Sequence, residues 1–175
     1  MRSGLEGVVS TVPLPAGEPG VTGESTDAQG RVWHWRFHAS KPVHRVQGAW
    51  MQDTSDDVLG VHGTWLNAPA PNWWDDSNAT KALDRFDEMH GPLQGLRFEK
   101  RSMRLALHVD FARQHPLFVF EHEQGLAFAH SLWRLVALMR TMGWPVEPDP
   151  KASACLLYTS PSPRDLSTSR MPSSA

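Results

Sequence analysis

The stretch Met103-Arg104-Leu105-Ala106-Leu107-His108-Val109-Asp110-Phe111 alternates without a break. Its odd positions are apolar, and Arg104, Ala106, His108 and Asp110 fill the even ones. Side chains in a strand point to opposite faces with period two, so this pattern predicts a long strand with one face on a core and the other wet. Gln114-His115-Pro116 then turns the chain, and Leu117 to His122 supplies a partner strand.

Working towards the N-terminus, Val32 to His38 alternates in the same way. Trp33, Trp35 and Phe37 take one face, and His34, Arg36 and His38 the other. Thr26 to Gly30 is rich in turn formers, so Val21 to Ser25 is expected to pair with this strand in a hairpin, with Gly30 at a positive-φ position. Val43 to Met51 and Asp57 to Leu66 are two further strands about the acidic turn 53–57. Ser77 or Asn78 caps a helix whose apolar positions run from Ala79 to Met89 and which Gly91-Pro92 stops. Leu126, Ala129, Trp133, Val136, Leu138 and Met139 form an apolar stripe that predicts a second helix over 126–142, closed by Gly143. The expected fold is α+β: an antiparallel meander sheet of about six strands with two helices packed on one face. Residues 1–20, rich in Gly and Pro, read as a flexible N-terminal segment, 21–146 as a single domain and 147–154 as a linker.

The last 21 residues stand apart. CLLYTSPSPRD (155–165) and SRMPSSA (169–175) resemble the translation of a sequencing-library adapter, its transposon end followed by its flow-cell end. Leu166-Ser167-Thr168 fill the place of a sample index between them. The resemblance implies that 155–175 is a non-native, disordered tail from adapter read-through. The native frame is then legible only to about Ala154, in a C-terminally truncated, metagenomic sequence. Such a scar is set aside in reasoning about the fold.

The chain has 175 residues, 40% of them hydrophobic, and a formal charge of −2. That excludes a solenoid array, a long coiled coil and a histone-like polycation. Of the 17 basic residues Arg164 and Arg170 fall in the tail, and of the 19 acidic ones Asp165 does, so the body carries 15 against 18, or −3. The lone Cys155 also lies in the tail, which leaves the body without a disulfide, a thiolate metal site or a cysteine nucleophile. The absence of Ile and the use of 11 Arg against four Lys in the body suggest a GC-rich bacterial genome. Residues 1–20 lack the apolar run of a signal peptide. The most apolar stretch, Leu126 to Met142, is interrupted by His130, Arg134 and Arg140. No membrane association and a cytoplasmic location are therefore expected; the oligomeric state is not readable.

Several residues carry possible chemistry. His108 and Asp110 share one strand face, where a carboxylate could orient an imidazole base, as in a hydrolase. No G-x-S-x-G or H-E-x-x-H accompanies them. His34 and His38 are four apart on a strand, about 13 Å, too far to share one ion, and no metal and no cofactor are expected. Glu121-His122-Glu123 reads as a partly buried, hydrogen-bonded histidine beside two acids. Residues 31–45 hold Arg31, Arg36, Lys41 and Arg45 with strand aromatics, a composition used by single-stranded nucleic-acid binders. The aromatic and basic groups take opposite faces, however, and the body is acidic, which weighs against nucleic acid. Trp73-Trp74 lies in a Pro-punctuated loop, where one indole could form a platform for a partner protein or a sugar. The leading expectation is a small, soluble binding or adaptor domain without catalysis. It would use Trp73, Trp74 or the face of His34, Arg36 and His38, with another protein as the candidate partner.

Overall fold

The computed structural model describes residues 4–16, 19–40, 48–64, 66, 90–110, 115–147 and 150. The chain divides into two compact units, Met1–Trp144 and Pro145–Ala175, and the elements described below belong to the first. The expected helix after Ser77, the Trp73-Trp74 loop and the 155–175 tail lie outside the described residues.

Alternation writes most of the strands. The order is β1 (Leu5–Ser10), β2 (Val21–Thr26), β3 (Val32–Ala39), β4 (Gly48–Asp53), β5 (Asp57–Gly63), β6 (Leu93–Glu99), β7 (Arg104–Val109), β8 (Phe118–His122), β9 (Gly125–Ala129) and α1 (Leu132–Thr141). The strands form two antiparallel sheets rather than one. The first runs β2-β3-β1-β9-β8, and the second is the meander β4-β5-β6-β7. Their apolar faces meet in one core: Leu5, Val9, Trp35, Phe37 and Phe128 from the first sheet, Val58, Leu96 and Phe98 from the second. Leu105 and Leu107, from the alternating ladder, pack against it half-buried. The structure is thus mostly β, and the expected single six-stranded meander with two helices on one face is corrected to nine strands in two sheets and one helix among the described residues.

The differences have local causes. Leu5–Ser10 falls in the segment read as flexible, yet it is buried along its whole length in the middle of a sheet, between β3 and β9. Gly7 is required there: it lies opposite both Phe37 and Phe128, and a Cβ would come within 2.4 Å of one ring and 2.8 Å of the other. β6 was missed because Gly95 and Gln94 interrupt its apolar rhythm. The expected helix over 126–142 is half strand. Leu126 and Phe128 alternate with Ala127 and Ala129 in β9, and α1 begins only after Ser131, whose Oγ accepts the Arg134 N–H at 3.4 Å. This shifts the buried stripe to Leu135, Leu138 and Met139 and leaves Trp133, placed on the stripe by its spacing, 84% exposed.

The β2–β3 hairpin and the end of α1 match their sequence signals. Gly30 takes φ +78° in the turn, and the Asp27 carboxylate accepts the backbone N–H groups of Gln29 and Arg31, each at 2.9 Å. The same carboxylate accepts the Trp33 indole N–H at 2.9 Å, the main cause of its pKa being lowered to about 2. Gly143, at φ +69°, ends the helix with its N–H on the Arg140 carbonyl. Among the described residues no helix is long and apolar enough to cross a membrane.

Candidate functional site

The outer face of the first sheet, turned away from the core, holds the even-numbered residues of β1 and β3. Cross-strand register sets Glu6 opposite His38, Val8 opposite Arg36 and Ser10 opposite His34. On the other side of β3, Thr22 faces Arg36 and Glu24 faces His34. α1 reaches the β1 side of this face, where Glu6 accepts two hydrogen bonds from Arg134. Over β2 and β3 the cover is instead the chain that leaves β1. Val12 N–H bonds back to Ser10 Oγ at 3.0 Å, and the 13–16 segment that follows lies against β3 as a strap, lining one pocket with His34 and Arg36. Gly20 returns the chain against β3 so closely that a Cβ would lie 2.5 Å from the Phe37 carbonyl oxygen.

Between strap and sheet lies a pocket of about 450 Å³. Its polar lining is Thr22, Glu24, His34 and Arg36, and Pro13 and Pro15 contribute to its wall. His34 Nδ1 and Glu24 Oε1 are 3.0 Å apart, with the Glu24 side chain 68% exposed and that of His34 largely covered. Arg36 is only 5% exposed, which corrects the expectation of a solvated basic face. Its Nη1 donates to the Pro15 carbonyl at 2.9 Å, and its Nη2 is buried with no hydrogen-bond partner among the described residues. A guanidinium does not lose its proton in proteins, so burial without a counter-charge costs on the order of several kcal/mol. His38, the third residue expected on this face, is half-buried and does not line the pocket.

The other candidates are placed separately. Arg31 is held by the Asp27 carboxylate at 2.8 Å and lies over the Trp33 ring, 5.5 Å from its centroid, so its charge is engaged within the hairpin. His108 stands opposite Gly95 on β7, half-buried. Asp110 follows the strand and is buried, its Oδ2 accepting the His115 N–H at 3.0 Å. His122 Nδ1 accepts the Gln124 N–H at 3.3 Å and its ring stacks on Trp144 at 5.1 Å, the partly buried, hydrogen-bonded role expected of it. Among the described residues no group of three His, Cys, Asp or Glu is placed to hold a metal ion.

Sequence reasoning missed a polar cluster at one end of the core. Gln94 accepts the Leu5 N–H at 2.8 Å and donates to the Pro116 carbonyl at 2.8 Å, which joins the two sheets through one side chain. Its neighbour across β5, His62, is fully buried; neither ring nitrogen has a hydrogen-bond partner among the described residues. Its ring meets that of His115 edge-on at 6.1 Å. Burial, reinforced by His115 and His130, lowers its pKa from 6.5 to about 4. Only the period-two phase of Val58, Gly60 and His62 could have signalled that a histidine points into the core.

Among the described residues the fold and pocket define a class: a two-sheet antiparallel β protein with one side helix and a strapped, cation-bearing cleft on the helix side of the first sheet. No protein-family profile matches the chain, and no curated protein or solved structure does either.

Proposed function

We propose that the protein is a ligand-binding domain rather than a catalyst, and that its ligand sits in the pocket between the 13–16 strap and β2–β3. The observation that carries this reading is the convergence of His34 and Arg36 on one open cleft of about 450 Å³. A cleft of a few hundred Å³ with a small number of convergent polar groups is the usual form of a small-ligand site. The rigid sheet supplies its floor, and a short irregular segment, able to adjust, supplies its roof. The adaptor role expected from the basic strand face is retained in this form, with a side chain of a partner protein or a free small molecule as occupant.

The test is a fragment library screened by amide chemical-shift mapping on the isotopically labelled protein. Perturbations should converge on Thr22, His34, Arg36 and the strap. A map that leaves these residues unmoved for every fragment overturns the reading.

A further inference from the structure

We infer that the pocket takes an oxyanion, a carboxylate or a phosphate monoester, seated on the Arg36 guanidinium, and that Glu24 is the gate the anion displaces. The inference rests on the binding reading above and adds the chemistry of the ligand.

The argument begins with unanswered charge. Arg36 has five N–H donors and cannot neutralise itself. Its one hydrogen bond among the described residues goes to a neutral carbonyl, that of Pro15. Of the acids nearest in register, Glu6 is held by Arg134, and the mostly exposed Glu24 lies 3.0 Å from His34 Nδ1. A planar guanidinium with a buried, unused edge matches the two oxygens of a carboxylate or phosphate, which it binds in a forked pair. Removal from water strengthens that attraction, because the local dielectric is low. His34 lies on the same strand face, two residues away, and its ring N–H becomes a second donor once turned from Glu24.

Glu24 stands where such a ligand would enter. It is the acidic side chain of the lining, it is mostly exposed, and it is tethered through a single oxygen to His34. An incoming anion meets its like charge first. Swinging Glu24 into solvent frees His34 and removes the repulsion. The strap yields by releasing the Pro15 carbonyl from Nη1, which opens the guanidinium edge without breaking the sheet.

A structural role for Arg36, as a pin for the strap, makes the opposite prediction for an apolar replacement. The experiment uses the full chain with Arg36→Met, Arg36→Lys and Glu24→Gln, titrated with methyl phosphate and with acetate against sodium chloride of equal ionic strength. Tm and the side-chain nitrogen resonances of Arg36 are followed. In the wild-type protein one of the two anions should raise Tm and shift those resonances where chloride does not, and the anion that acts identifies a phosphate or a carboxylate ligand. Arg36→Met should raise Tm in anion-free buffer and abolish the anion effect. Arg36→Lys should weaken binding at least ten-fold, and Glu24→Gln should strengthen it several-fold. If Arg36→Met lowers Tm and neither anion acts, while neutral fragments still perturb the pocket, the oxyanion inference fails and the binding reading stands. If no fragment and no anion perturbs the pocket, both fail. Anion binding unchanged in Glu24→Gln overturns the gate.

Discussion

Arg134 grips Glu6 through two nitrogens, Nε to Oε2 at 2.8 Å and Nη2 to Oε1 at 2.6 Å, across 128 residues of sequence. Glu6 is buried in the central strand of the first sheet, and the partly exposed Arg134 lies in the first turn of α1. This forked pair ties the helix to β1. Removing the arginine strands a carboxylate away from water, and breaking such a pair costs about 3 kcal/mol. Arg134→Met is expected to lose that much in urea denaturation. Glu6→Gln/Arg134→Met should recover part of it, because the uncompensated charge is gone. A single Arg134→Met variant as stable as wild type would show that the pair contributes nothing to docking the helix.

The aromatic centre of the core makes a second demand on β1. Phe37 and Phe128 stack at 6.0 Å, and Gly7 lies between them in the register. Gly7→Ala drives a methyl group into both rings. Overpacking of this kind typically costs 1–3 kcal/mol, and the loss should appear in the denaturation midpoint and in the ring-proton shifts of both phenylalanines. An alanine accepted with unchanged midpoint and shifts would mean that the strand lies further from the rings.

The phase of α1 gives a third prediction. Trp133 is on the far side of the helix from Leu135, Leu138 and Met139. Trp133→Ser should therefore alter stability by no more than about 0.5 kcal/mol, whereas Leu135→Ala should cost about 3 kcal/mol. A helix beginning near residue 126, as the stripe spacing suggests, reverses the two results.

These elements show how far the sequence could be read. β3 and β7 were legible because each alternates over six or more residues with its apolar positions on one face, and β2 through the turn formers that follow it. β1 was hidden by its setting: both its faces are covered, one by the second sheet and one beneath α1, so Leu5-Glu6-Gly7-Val8-Val9-Ser10 shows no alternation, and its glycine belongs to packing rather than to a loop. β9 was absorbed into a helix because five residues are too few to separate period two from period 3.6, particularly with two alanines that fit either. The division into two sheets was not legible, since it depends on pairing β1 with β9, more than 100 residues away in the sequence. The site was half legible. His34, Arg36 and His38 were grouped by strand parity, but the burial of Arg36 depends on the 13–16 strap, whose Pro-rich sequence says nothing about what it covers. The pairing of Glu24 with His34 follows from the hairpin register and was available from the Thr26–Gly30 turn.

His62 makes the stability of the fold depend on acid. Its ring is fully buried beside His115, and burial is the largest cause of the fall in its pKa from 6.5 to about 4. The folded protein therefore holds this proton less tightly than the unfolded chain does. The sign follows: the contribution is intact above pH 6.5, where both states are neutral at this position, and stability is lost as pH falls towards 4, because the unfolded state takes up the proton first. A shift of this size corresponds to roughly 3 kcal/mol over that interval. His62→Leu keeps the apolar packing and removes two nitrogens that have no hydrogen-bond partner among the described residues. It should raise stability at pH 7 and, more tellingly, flatten the difference in unfolding free energy between pH 7 and pH 4 relative to wild type. His62→Gln, which restores polar atoms without a titrating group, should flatten the same slope while lowering stability at every pH. If both variants keep the acid slope of the wild type, the slope belongs to groups other than His62.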